Sequence, residues 1–319
     1  MPTPIAGLHH VTAIASNPQR NLDFYTQVLG LRFVKRTINF DDPGSYHFYF
    51  GDDAGAPGTI LTFFPWPNAT RGSFGTGETA ATTFSVPAGS IDFWEKHLLA
   101  YDVPVEHLGQ RFGEEVLSFP DPDGMRLEVA AHAAPGPANP SRFASEIPHE
   151  HAIRGFHGVT LALREAASTA SVLEAMGFHQ AAKEGNRTRF SAPGQALGNH
   201  IDLVVPDKPT YGRMGAGSVH HIAFRAPDDA TQQAWATTLA DLRLHVTPVQ
   251  DRTYFHSIYF RTPGGVLFEI ATDPPGFTLD EPIETLGEAL KLPLWLEPSR
   301  AAIEHHLPVI ELHKSPVTA

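Results

Sequence analysis

The sequence predicts an α+β protein built from one βαβββ module used four times. Three observations lead there: a strand-helix-strand order that recurs along the 319 residues, closing turns that carry Pro and Gly, and a His-His doublet on two of the opening strands. Module one, about 7–65, opens with the strand Gly7-Leu8-His9-His10-Val11-Thr12-Ala13-Ile14. Asn17-Pro18 then offers an N-cap with proline at the first helical position. Leu22, Tyr25 and Leu29 form the apolar face of that helix, and Gly30 ends it before the strand Arg32-Phe33-Val34. Strands over Tyr46 to Phe50 and Thr59 to Phe64 follow, separated by a turn around Gly51 to Gly58.

The same order returns three times. Module two, about 80–131, has a strand over Thr82 to Val86, a helix over Ile91 to Ala100 and a last strand after Asp121-Pro122-Asp123-Gly124. Module three, about 155–205, opens with Phe156-His157-Gly158-Val159 and is the most divergent; module four, about 218–272, opens with Val219-His220-His221-Ile222. The Ala-, Pro- and His-rich stretch 133–153 reads as a linker between two paired halves, 1–132 and 154–277. The remainder, 278–319, reads as a peripheral tail with a short helix over Ser299 to His306 whose histidines are solvated.

Composition excludes several classes. Lys+Arg 23 against Asp+Glu 35 gives a formal net charge of −12, which repels phosphate backbones and anionic lipid, so no nucleic-acid partner is expected. No apolar run is long enough to span a membrane and no signal peptide is legible, so a cytoplasmic protein is expected, with homo-oligomer formation left open. The absence of Cys removes disulfides, thiolate metal sites and thiol nucleophiles. Eighteen histidines remain, so a bound metal would take imidazole and carboxylate ligands, a donor set suited to iron, manganese, zinc or nickel.

A βαβββ module repeated four times resembles the vicinal oxygen chelate superfamily, which includes glyoxalase I, bleomycin-resistance proteins and extradiol ring-cleaving dioxygenases. The resemblance implies modules that pair into two curled-sheet half-barrel domains, with metal ligands on the first and last strands around a cavity. Aligned by their closing turns, Thr262 to Glu269 lies over Ala56 to Phe63, so Phe63 is expected where module four has Glu269, and His10 matches His221. Modules one and four then offer His10, His221 and Glu269, a three-ligand set that leaves coordination positions open for substrate and dioxygen. Strand alternation puts Thr12 on the face of His10 and turns His9 and His220 outward, where local twist could still return them as supporting residues. In module two Ala81 stands at the ligand position, with His157 and Glu128 as partial echoes of a second site. A rival arrangement, drawn from catechol enzymes of the superfamily, replaces His10 by His157.

The segments Phe33 to Thr37, Tyr46 to Phe50, Arg154 to His157 and Tyr259 to Val266 resemble a narrower branch, the hydroquinone ring-cleaving dioxygenases such as 2,6-dichlorohydroquinone dioxygenase. That resemblance implies Fe(II), with Mn(II) possible on the same donors, held by His10, His221 and Glu269. It further implies Tyr259 as an active-site proton donor, Arg252 as a stabiliser of negative charge and Thr12 as a support, acting on a small dihydroxylated aromatic and O2. Phe48, Tyr49, Trp66 and Phe255 are candidate cavity walls. Two other readings stay open. One is a glyoxalase-type isomerase, disfavoured because Phe63 can neither coordinate nor abstract a proton; the other is a non-catalytic protein that sequesters an aromatic compound.

Overall fold

The computed structural model describes residues 2–133, 147–194 and 197–312. Module one comprises β1 (Leu8–Ala15), α1 (Pro18–Asp23), β2 (Arg32–Asn39), β3 (Asp42–Gly51) and β4 (Ile60–Pro65). Module two comprises β5 (Glu78–Pro87), α2 (Ile91–Ala100), β6 (Glu106–Arg111), β7 (Glu114–Pro120) and β8 (Arg126–His132). Module three comprises β9 (Phe156–Ala162), α3 (Ala167–Ala175), β10 (His179–Glu184), β11 (Arg187–Ser191) and β12 (His200–Val204). Module four comprises β13 (Val219–Ala226), α4 (Asp229–Asp241), β14 (Gln250–Asp251), β15 (Phe255–Arg261) and β16 (Leu267–Pro275); α5 (Arg300–His306) follows.

Local chemistry sets these boundaries. The Asn17 side chain accepts a hydrogen bond from the Arg20 N–H at 2.9 Å and starts α1. The helix then passes into a π-helical turn over Phe24–Val28, and Gly30, at φ +66°, reverses the chain into β2. Leu22, Tyr25 and Leu29 are all buried, which makes this short element a packing face for the sheet.

The strands form two curled eight-stranded half-barrel sheets of order β14-β15-β16-β13-β1-β4-β3-β2 and β10-β11-β12-β9-β5-β8-β7-β6. Here the structure corrects the expected halves 1–132 and 154–277. Module one joins module four through antiparallel β1 and β13, and module two joins module three through β5 and β9. The sheets therefore cross the stretch 133–153, of which 134–146 lies outside the described residues; Ile147, Ala152 and Ile153 are buried against the core. The opening strand is the free edge of each module's own sheet, so β1 mates with β13 of the most distant module and β5 with β9 of the next one.

The C-terminal segment is not peripheral. The Lys35 ammonium, fully buried, sits 2.6 Å from Asp280 Oδ1 and also binds Glu281. The Thr37 hydroxyl donates to the Lys291 carbonyl at 2.7 Å, and the Tyr46 phenol to the Pro308 carbonyl at 2.9 Å. A buried cation is tolerated only when paired, so Lys35 ties this segment to module one. No helix among the described residues is long and apolar enough to cross a membrane.

Candidate metal centre

The inner faces of β1, β13, β15 and β16 meet at one cluster. His10 Nε2 lies 3.4 Å and His221 Nε2 2.9 Å from Glu269 Oε2, and the three ligand atoms fall within 4.8 Å of one another. All three residues are buried, Glu269 completely. The other carboxylate oxygen, Oε1, accepts a hydrogen bond from Ser257, while Oε2 has no hydrogen-bond partner among the described residues. A buried carboxylate oxygen facing two imidazole nitrogens without a hydrogen bond is costly unless a cation sits between them. The donor set therefore fits a metal ion.

The opposite edge of each ring is fixed as well. His9 Nδ1 lies 2.9 Å from His10 Nδ1, and His220 Nδ1 lies 2.7 Å from His221 Nδ1, which leaves both Nε2 atoms for the centre. This corrects the expectation from strand alternation. The β1–β13 register shifts between Leu8 and His10 and again between Thr12 and Ala13, whose partners are His221 and Val219. His9 and His220 are thus the extra residues of two β-bulges, which re-aim both rings beside their neighbours. Burial lowers His9 and His221 below the ordinary imidazole value and takes His220 down to about 4, so these rings are neutral at pH 7 and able to ligate or accept. Burial works against charge on Glu269, yet the His10 and His221 rings hold its carboxyl well below the usual range.

A cavity of about 340 Å³ opens onto the cluster, lined by His10, His220 and His221 together with His47, Tyr49, Phe64, Trp66, Arg252, Phe255 and Tyr259. Its volume suits a single aromatic ring with room for small substituents. Burial, with Glu269 nearby, raises the Tyr259 phenol above its ordinary value, so it keeps its proton. Arg252 donates from Nε to the Tyr259 oxygen at 3.3 Å and pairs with Asp41 at 3.1 Å. Phe255 packs against both His9 and His10, with ring centroids 5.2 and 5.0 Å apart. Phe48 is not a wall residue; it lies in the apolar core.

The counterpart of Glu269 is Thr62, not Phe63. In β13 and β16 Ala223 pairs with Glu269, and in β1 and β4 the equivalent Thr12 pairs with Thr62. The alignment by closing turns was off by one residue, which in a strand exchanges the two faces. Phe63 points into the core, 4.6 Å from the Tyr25 ring by centroids. Thr12 and Thr62 share a hydrogen bond of 2.9 Å beside the centre. Sequence reasoning also missed Ser257 and His47. Ser257 stands two residues before Tyr259 on the same strand face, and that spacing was the available signal.

His157 does not approach this cluster. Gly158, not His157, occupies the place of His10 in module three, since Thr83 pairs with Gly158 as Ala223 pairs with His10. His157 lies in the other half-barrel with Glu114 and His200, Nε2 at 3.0 Å from Glu114 Oε1. Arg189 already holds the second oxygen of Glu114 at 2.7 Å. Glu128, the other expected echo, is bound at both oxygens by Arg111, at 2.6 and 3.0 Å.

Comparison with known proteins agrees with this architecture. Residues 7–129 and 139–270 match the model of the Glyoxalase/Bleomycin resistance protein/Dioxygenase superfamily. MhqO of Bacillus subtilis (strain 168), named as a ring-cleaving dioxygenase, is 49% identical over 309 residues, covering 97% of both chains. A chlorohydroquinone/hydroquinone 1,2-dioxygenase of Sphingobium indicum is 35% identical, covering 93% of this chain and 94% of its own. A crystal structure of a Bacillus subtilis dioxygenase homologue superposes with a TM-score of 0.93 at 48% identity, covering 98% and 99% of the two chains. Glyoxalase I from Zea mays, at 13% identity and a TM-score of 0.62, shares the fold. The chain belongs to the Glyoxalase/Bleomycin resistance protein/Dioxygenase superfamily, a metal-dependent family, and is an enzyme of the dioxygenase type that takes a small-molecule substrate and O2.

Proposed function

We propose that this chain is a non-haem Fe(II)-dependent ring-cleaving dioxygenase acting on hydroquinone or a related dihydroxylated aromatic. The observation that carries the reading is the buried Glu269 Oε2, which has no hydrogen-bond partner among the described residues and faces His10 Nε2 and His221 Nε2 at the wall of an aromatic-sized cavity. The ligands are His10, His221 and Glu269, and Mn(II) fits the same donors. Held by these residues, such an ion would offer open coordination positions to a substrate oxygen and to dioxygen and would lower the pKa of a coordinated hydroxyl.

The protein's own groups handle position and protons. Tyr259 stays protonated at the cavity wall and supplies a proton to oxygen as the ring opens. Arg252 holds the Tyr259 oxygen and stabilises negative charge that develops there. His9 and His220 orient the two ligand rings, Ser257 orients the carboxylate, and Thr12 supports the wall beside His10. The hydroquinone assignment is supported by the 35% identity to a chlorohydroquinone/hydroquinone 1,2-dioxygenase. A glyoxalase-type isomerase needs a second carboxylate, and Thr62 at the equivalent place is neither a strong ligand nor a base.

The test is oxygen uptake by anaerobically purified, iron-loaded protein supplied with hydroquinone and, separately, with catechol. The reading expects uptake stoichiometric with ring-opened product, hydroquinone preferred. Isomerisation of a glutathione hemithioacetal without oxygen uptake would replace it.

A further inference from the structure

Module one carries a hydrogen-bonded copy of the module-four site in which the acid has been exchanged. Tyr49 pairs with Thr62 across β3 and β4 as Tyr259 pairs with Glu269 across β15 and β16. By that register Tyr49 is the counterpart of Tyr259, His47 of Ser257 and Thr62 of Glu269. Both His47 and Tyr49 line the cavity that holds the candidate ligands.

The contacts form one chain: Thr62 Oγ1 lies 2.9 Å from Thr12 Oγ1, His47 Nε2 lies 2.9 Å from Thr62 Oγ1, and the Tyr49 phenol oxygen lies 2.8 Å from His47 Nδ1. The imidazole is held at both nitrogens, and it in turn holds the Tyr49 phenol. Desolvation by burial lowers His47 well below the ordinary imidazole value, in agreement with a neutral ring. The Tyr49 oxygen keeps a lone pair to accept from a ligand. A tyrosine that only packed against Phe277, 5.0 Å away by ring centroids, would not need a phenol tied to an oriented imidazole.

We propose that Tyr49, backed by His47, receives the hydroxyl of the substrate that is not bound at the metal centre, and so selects dihydroxylated rings over monohydroxylated ones. In this arrangement the substrate hydroxyl and the Tyr49 phenol share a hydrogen bond and His47 holds the phenol in place, so no bond is broken and both side chains stay neutral. The proposal rests on the ring-cleaving reading above.

Anaerobic binding titrations of hydroquinone and of 4-chlorophenol to iron-loaded protein test it, alongside kcat and KM for hydroquinone. Wild type is expected to prefer hydroquinone, and Tyr49→Phe to lose that preference by about tenfold with iron content unchanged. His47→Leu, which removes the partner that holds the Tyr49 phenol in place, is expected to lose part of the same preference with iron content unchanged. Undiminished preference for hydroquinone in Tyr49→Phe overturns the proposal and leaves the ring-cleaving reading standing. If wild type binds and cleaves neither hydroquinone nor catechol, the ring-cleaving reading falls and this proposal falls with it.

Discussion

Where module four carries His221, module two carries Ala81; where module one carries His10, module three carries Gly158; and where Glu269 stands, module two has Glu128. The two half-barrels thus present the same strand positions with different chemistry. In the first, a buried carboxylate oxygen faces two imidazoles, and among the described residues no guanidinium hydrogen-bonds to it. In the second, Arg111 grips Glu128, Arg187 and Arg189 grip Asp202, and Arg189 also takes Glu114. A methyl group at Gly158 would come within 2.1 Å of the His200 carbonyl oxygen, so no ligand side chain fits there. One fold therefore satisfies a buried acid in two ways: with arginine, which closes the charge balance, or with histidine, which leaves room for an ion.

The sharpest way to break this contrast is His10→Ala. Oxygen uptake is expected to fall to background with the circular-dichroism spectrum unchanged; near-normal uptake would detach the reaction from this half-barrel. Next is Tyr259→Phe, which should keep iron and lower kcat by about 10²- to 10⁴-fold. On the opposite side, Glu128→Ala strands Arg111 and should cost about 3–5 kcal/mol in denaturant unfolding. Its activity per folded molecule should stay at the wild-type level.

A pH series sharpens the comparison further. Burial takes His200 down to about 3 from an ordinary value of 6.5. Its folded pKa is depressed, so the unfolded chain binds the extra proton first, and the stability it contributes is lost as pH falls from about 6.5 toward 3. His200→Gln should flatten the fall in urea midpoint between pH 7 and pH 4. The smallest expected effect is Asp41→Asn, because Asp41 is 73% exposed where it meets Arg252. Loss of that pair should change stability by less than about 1 kcal/mol, with kcat nearly unchanged.

The repeat was legible because caps and turns are local: Asn17-Pro18, Gly30 and Pro263-Gly264-Gly265 announce their elements without help from the rest of the chain. The same locality brought out the two His-His doublets and Glu269. The partner of module two was not legible: the shared ligands draw module one to module four, but nothing in the sequence ties β5 to β9. Bulges at His9 and His220 escaped because alternation assumes an unbroken register. Thr62 was missed for Phe63 because turns of unequal length slide an alignment by one residue, and one residue reverses a strand. His47 and Ser257 acquire meaning only beside Thr62 and Glu269, which lie on neighbouring strands.

The most direct measurement is iron bound per chain in anaerobically loaded protein, compared between wild type, Glu269→Ala and Glu128→Ala. The account predicts one iron in wild type and in folded Glu128→Ala, and none in Glu269→Ala. Iron retained at the wild-type level by Glu269→Ala, or lost from folded Glu128→Ala, would contradict it.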